Sequence, residues 1–473
     1  MTHESYSESS PGKVPGPDRV AGLMAIFKHM EAGEFAAARQ DLAMLQSRFP
    51  EDPDLSTVEA TLLLAEGNGR GAERTLAAAL VRHPDHFGCL LMLGNLYLEQ
   101  GHHERAARLY TRAQRVASEQ DLQQLAPYQE RLRGAGFTGP VTSVKLAFIV
   151  REGLDQFLDD IPRELVADYE VRKFVVNSTS DVDDALRWGD VCWFEWCNDP
   201  LVYASRHPLA REKKILCRLH RYEAFSGYPS QVNWDAVERL ILVTGHLRHL
   251  LESRVPDLTR RVQVEVIQNG VDLEAYPFTE REPGFNIACI GYQHLRKNPM
   301  LLLQIMARLV EQDPRYHLFV AGTFQDPLLQ LYWDYMIREM GLEEHVHFDG
   351  WQDDVASWLE DKQYLISTSL HESFGYAIAE AMARGIKPVV HNFPFAYEIW
   401  AEEMLFNTVD EAVEMITSDE YDSRLYRAFI EGHYALEKQV ARIRALLARL
   451  TNGAYGVSTP RPAGPAIRLA GHA

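Results

Sequence analysis

ISTSLHESFGYAIAEAMARGIKPVV, residues 366–390, reads as strand, loop, helix, turn and strand. The apolar strand ends near Ser369 and Glu372 falls in the loop. Ser373, Phe374 and Gly375 lead into a helix rich in Ala, Met and Ile, with Glu380 inside it. Gly385 stops that helix, since glycine takes a left-handed backbone at little cost, and the next strand begins at Pro388. Backbone N–H groups at such a helix start point into the crevice beyond the strand ends, where phosphate is welcome. One carboxylate at the mouth and one deeper suit vicinal sugar hydroxyls, because charge-assisted hydrogen bonds are worth about 1.5–3 kcal/mol each.

The same alternation extends in both directions. Continuous β-branched apolar runs, typical of strands buried on both faces, lie at 144–150, 171–176, 190–196, 213–220 and 239–244. After a break at 280–284, a second series follows at 285–291, 316–322, 345–350, 363–369 and 387–392, and helical patterns separate its strands. Two such series predict two Rossmann-like parallel-sheet domains, 144–283 and 284–410, facing each other across a cleft. A helical segment, 411–451, closes the chain.

The N-terminal part has a different rhythm. Gly33, Gly67 and Gly101 are 34 residues apart, as are Ala38, Ala72 and Ala106, and Pro50 and Pro84 keep the period. A unit of this length fits two antiparallel helices with Gly in the turn and Ala where they touch. The third unit carries Leu93, Gly94, Tyr97, Gly101, Ala106, Tyr110 and Ala113. The pattern resembles the tetratricopeptide repeat and predicts an all-α solenoid over 19–133, joined by a linker, 134–143. GNGRG at 67–71 reads as a turn between helices, not a phosphate loop, because no apolar strand precedes it. The Ser-, Pro- and Gly-rich ends, 1–18 and 452–473, read as disordered tails.

Glu372 and Glu380, seven residues between them, resemble the paired glutamates of the family-4 retaining glycosyltransferases of the GT-B fold. Four further blocks fall in that family's order: 240–254, 264–278, 290–304 and 346–359. The resemblance implies a nucleotide-sugar substrate, UDP- or GDP-linked, and no metal or other cofactor. It also implies roles. Glu380 would hold the ribose, and Glu372 the hydroxyls of the transferred sugar. Amides of Ser373, Phe374 and Gly375 would meet that sugar or its phosphates. Lys297 would bind the diphosphate, Gly350 and Trp351 would lie beside the base, and His220 near the reacting carbon. Gly153 remains from the first glycine-rich turn. The family's usual arginine is Tyr292 here, and Arg296 is the candidate to replace it. Catalytic roles thus fall to His220, Lys297 and Glu372. Arg221 and Glu223 read as a surface ion pair before a catalytic role, and Trp193 and Trp196 as core before an acceptor platform.

Bulk composition narrows the remaining classes. A net charge of −19 over 473 residues does not suit a coat for nucleic acid or anionic lipid. The five cysteines are scattered in apolar runs without a CxxC pair, as in a reducing compartment. No stretch reaches the ~20 apolar residues of a membrane helix, which points to the cytoplasm and leaves surface contact with a membrane open. The repeats suggest a protein or peptide acceptor, since such solenoids present extended concave surfaces. A bacterial protein glycosyltransferase fits this expectation, with lipopolysaccharide or capsule assembly, or an inactive nucleotide-sugar-binding scaffold, as alternatives.

Overall fold

The computed structural model describes residues 17–137, 141, 143–155 and 158–451; residues 1–16 and 452–473 of the expected tails and most of the centre of the expected linker lie outside these, while Pro17 and Asp18, expected in the tail, begin a helix. The chain divides into two units, Met1–Cys192 and Trp193–Ala473.

The first unit opens with α1 (Pro17–Glu31), α2 (Phe35–Arg48), α3 (Pro53–Ala65), α4 (Gly69–Arg82), α5 (Phe87–Glu99), α6 (His103–Val116) and α7 (Glu119–Gly134). The periodic glycines Gly33, Gly67 and Gly101 all have φ near +75 to +80°, and Ala38, Ala72 and Ala106 are fully buried between helices. GNGRG is only partly a turn. Asn68 caps α4 by accepting from the Gly71 amide at 2.8 Å, so Gly69 to Gly71 are helical, because the side-chain cap satisfies an N–H the first turn leaves unpaired.

Two strands follow, β1 (Lys145–Arg151) and β2 (Glu170–Val176), paired in parallel. Helix α6 docks on the segment leading into β2. The Arg112 guanidinium, 3% exposed, donates to the carbonyls of Val166 at 2.8 Å and Pro84 at 3.0 Å. Arg105 forks onto Asp168 at 2.8 and 3.0 Å. The repeats are therefore fastened to the start of the α/β region by buried, directional bonds.

The division between units falls within β3 (Val191–Glu195). In the second unit β4 (Lys214–Leu219), β5 (Arg239–Leu242) and β6 (Gln263–Val266) pair side by side in parallel. The sequence reading missed β6, whose residues are only half-buried at the sheet edge and give no continuous apolar run. The second sheet has β7 (Asn286–Ile290), β8 (His317–Ala321), β9 (Val346–Gly350), β10 (Tyr364–Ser367), β11 (Lys387–His391) and the short β12 (Leu405–Phe406), in the order β12-β11-β10-β7-β8-β9. Helices cover both faces. Leu365 of β10 packs with Ile378, Met382 and Trp400 on one face, and Ile366 with Leu302, Leu309 and Trp333 on the other. Burial on both faces is why these strands read as unbroken apolar runs. The closing segment is three helices, Val409–Thr417, Ser423–His433 and Leu436–Thr451. Among the described residues no helix is long and apolar enough to cross a membrane.

Candidate functional site

Strand order places the site. The chain runs outward from β7 through β8 to β9, then returns to lay β10 against the other side of β7. Connections on the two sides of that reversal leave in opposite directions and open a crevice at the carboxyl ends of β7 and β10. The loop after β7 carries Gly291, Tyr292 and the turn Leu295–Lys297; the loop after β10 carries Ser369 to Gly375. The loops are tied together, with Thr368 Oγ1 donating to the Lys297 carbonyl at 2.7 Å and the Leu370 amide to the Arg296 carbonyl at 2.8 Å.

Glu372 is the centre of this crossing. Its Oε1 lies 2.7 Å from Arg296 NH1, and accepts from Lys297 Nζ at 2.9 Å and from Ser369 Oγ at 2.9 Å. Burial alone would raise the carboxyl pKa, but Lys297 and Arg296 outweigh it and hold the group at about 2. Three residues assigned separate roles from the sequence therefore form one cluster. Arg296 stands beside Lys297, where the resemblance wanted a second cation. Burial and these same cations push His294 down to about 4.

Glycines shape the floor. β7, β8 and β9 each run into a glycine of positive φ, Gly291, Gly322 and Gly350. A Cβ on Gly322 would stand 2.1 Å from the Gly291 carbonyl oxygen, so no other residue fits there. The sequence reading named only Gly350; the clue to the others was that all three strands end in glycine. At the rim, Tyr292 and Trp351 are 40% and 52% exposed, with rings 5.3 Å apart and inclined by 32°.

The remaining expected residues fall as follows. Gly375 caps the helix Tyr376–Ala383 in the left-handed conformation, φ +92°. Ser373 is half-buried beside it. The Phe374 side chain is core, packed on Tyr434 and Trp400 at 5.0 and 5.9 Å, which leaves its backbone for ligand contact. Glu380 is half-buried in the helix. Gly153 belongs to the first unit, exposed in the turn after β1 with φ +79°; the end of its loop, 156–157, lies outside the described residues.

His220, the residue just after β4, lies within a buried ionic network. Its Nε2 is 2.6 Å from Glu195 Oε1. Glu195 also accepts from Arg218 NH1 at 3.0 Å and from Trp193 Nε1 at 2.9 Å, and Arg218 reaches Asn269 Oδ1. Burial opposes ionisation of Glu195, yet Arg218 and His220 keep its pKa low; burial pushes the His220 pKa down against the pull of Glu195. Glu195, Arg218 and Asn269 went unnoticed in the sequence because 51 residues separate Arg218 from Asn269. The reading of Arg221 and Glu223 as a surface ion pair is corrected. Glu223 is wholly buried, accepts from the amides of Cys197 at 3.0 Å and His220 at 3.3 Å, and is pushed up to about 8 by burial. Trp193 is core, whereas Trp196 is only half-buried.

Within the second unit the carboxyl ends of the two sheets meet. Phe225, just beyond β4, lies 5.4 Å from His371. His246, in the helix after β5, is 5.1 Å from both His371 and Phe395. His220 and Glu372 thus stand on two edges of one seam.

The family description for glycosyl transferases group 1 matches residues 278–432, the stretch that holds β7 to β12. The chain carries a glycosyl transferases group 1 domain. A tetratricopeptide repeat matches residues 63–126. The GDP-mannose:cellobiosyl-diphosphopolyprenol alpha-mannosyltransferase of Xanthomonas campestris is 30% identical over 135 residues, 28% of this chain and 35% of that protein. The chain thus spans about a third of the length of the curated relatives it matches. HepE of Anabaena, solved with UDP, superposes with a TM-score of 0.53 at 16% identity, covering 64% of this chain and all of that one. A glycosyltransferase from Rickettsia africae superposes with a TM-score of 0.50 at 12% identity, covering 66% and 100%. The group 1 domain therefore sits in the expected architecture, a helical repeat region followed by two Rossmann-like sheets of GT-B type.

Proposed function

We propose that this chain is a glycosyltransferase that moves a hexose from a UDP- or GDP-linked donor to an acceptor with retention and without a metal. The observation that carries this reading is the Lys297–Arg296–Glu372 cluster at the strand-order reversal, above a floor that only glycine can form. Two cations held side by side by a buried carboxylate suit a diphosphate leaving group, whose charge grows as the bond to the sugar breaks. Tyr292 and Trp351 offer rings on which a nucleobase can stack, while Arg296 supplies the cation that the family arginine would have given. In the reaction the bond between the anomeric carbon and the diphosphate oxygen breaks, and its electron pair leaves with the diphosphate. The acceptor oxygen bonds to that carbon on the same face, and its proton passes to the departing phosphate.

For the acceptor, the activity of the Xanthomonas relative, transfer to a cellobiosyl-diphosphopolyprenol, favours a saccharide of the lipid-linked kind. The repeats favour the second reading, a protein acceptor. The experiment is a panel of UDP- and GDP-linked hexoses, with nucleotide release and product anomer followed for wild type and Glu372→Ala. We expect release by the wild type, an axial-to-axial or equatorial-to-equatorial product, and strong loss in the variant. Equal rates in the two proteins refute the site.

A further inference from the structure

Three non-glycine residues among those described have positive φ: Asn298, Phe395 and Trp196. Asparagine tolerates this region, but for a bulky ring it is strained. Trp196 has φ +82°. Its surroundings hold it there: its amide donates to the Arg218 carbonyl at 3.0 Å, and the next amide, of Cys197, is clasped by Glu223 at 3.0 Å. Its neighbours Glu195, Cys197 and Asn198 are 2%, 0% and 2% exposed, yet Trp196 itself is half-buried. The left-handed turn swings the indole out of the strand's alternation and over His220, ring centres 4.2 Å apart, with Tyr222 at 5.5 Å.

Folding alone would be served by glycine here, which takes this backbone freely. Strain of this kind gathers where a site needs a group held in place. The position suits a substrate. Tyr222 and Phe225 lie in the segment that meets His371, and the charge of Arg221 acts on Glu372 and Arg296. The donor diphosphate is accounted for on the opposite edge by Lys297 and Arg296.

We propose that Trp196 is the platform on which a pyranose ring of the acceptor stacks, so that its hydroxyl faces the donor sugar at Glu372. This rests on the donor reading above. An indole face packs against the C–H face of a sugar as it packs against any flat apolar edge. Trp196 acts here as a specificity and positioning residue.

The test takes the full chain, the nucleotide-sugar that the wild type hydrolyses, and three probe acceptors: octyl β-glucoside, octyl α-mannoside and octyl β-cellobioside. Trp196→Gly removes the ring and relieves the positive φ, and its fold is checked by circular dichroism and donor hydrolysis. Trp196→Phe keeps a ring. We expect KM for the best glycoside to rise by about 10-fold or more in Trp196→Gly and by no more than about 3-fold in Trp196→Phe. An unchanged acceptor KM in Trp196→Gly, or equal rises in both variants, overturns the platform and leaves the donor reading standing. So does donor hydrolysis with no transfer to any of the three glycosides. Failure of the wild type to hydrolyse every nucleotide-sugar overturns both.

Discussion

Replacing Glu372 with Gln keeps the shape of the side chain and removes its charge. In the wild type Arg296, Lys297 and Ser369 surround Oε1 at 2.7, 2.9 and 2.9 Å. Burial opposes ionisation, yet the cations prevail and bring the carboxyl from its ordinary 4.5 to about 2. At about 1.36 kcal/mol per pH unit, that fall stabilises the folded chain by about 3 kcal/mol at most. Solvent reduces the figure, because Arg296 and Lys297 are 26% and 19% exposed. The folded pKa lies below the unfolded one, so this stability is fully present above 4.5 and is lost as pH falls toward 2. Urea unfolding of wild type and Glu372→Gln, followed by tryptophan fluorescence, measures it. We expect a gap of about 2–3 kcal/mol at about pH 7, narrowing to roughly half at about pH 3. A gap below about 0.5 kcal/mol at neutral pH, or one that stays constant on acidification, refutes the reasoning.

Three other outcomes follow from the same geometry. Arg218→Met leaves the Glu195 side chain, 1% exposed, charged and uncompensated, which costs about 3–5 kcal/mol in urea unfolding; adding Glu195→Gln recovers much of it. Tyr292→Ala raises the Kd for UDP or GDP by about 10-fold in calorimetry, through lost stacking, whereas Tyr292→Phe stays within about 2-fold. Gly322→Ala puts a methyl 2.1 Å from the Gly291 oxygen at φ +146°, so Tm falls and nucleotide binding is lost together, with more than about 2 kcal/mol of stability gone.

Much of this was legible in the sequence. Ile366 to Val390 alone gives strand, loop, helix and strand, because both faces of a parallel strand are buried and glycine alone stops the helix cheaply. The repeats were equally plain, since a fixed period brings the same residues to the same turn in each unit. Glu372 and Lys297 stood out by their motifs. Their pairing did not, because 75 residues separate them and only the reversal of strand order between β7 and β10 sets their loops side by side. The same holds for Glu195, Arg218, His220 and Asn269, where each residue alone is an ordinary polar side chain and the four become a network only when β3, β4 and the segment after β6 share one end of a sheet. Trp196 is the sharpest case. Its sequence, FEWC, leaves core and acceptor platform both open, and nothing in a list of residues reveals a backbone turned left-handed. Local pattern determined the elements, because burial and turn chemistry act over a few residues. Partnership at the site was decided by tertiary structure, because hydrogen bonds and charges act through space, wherever the chain has brought them.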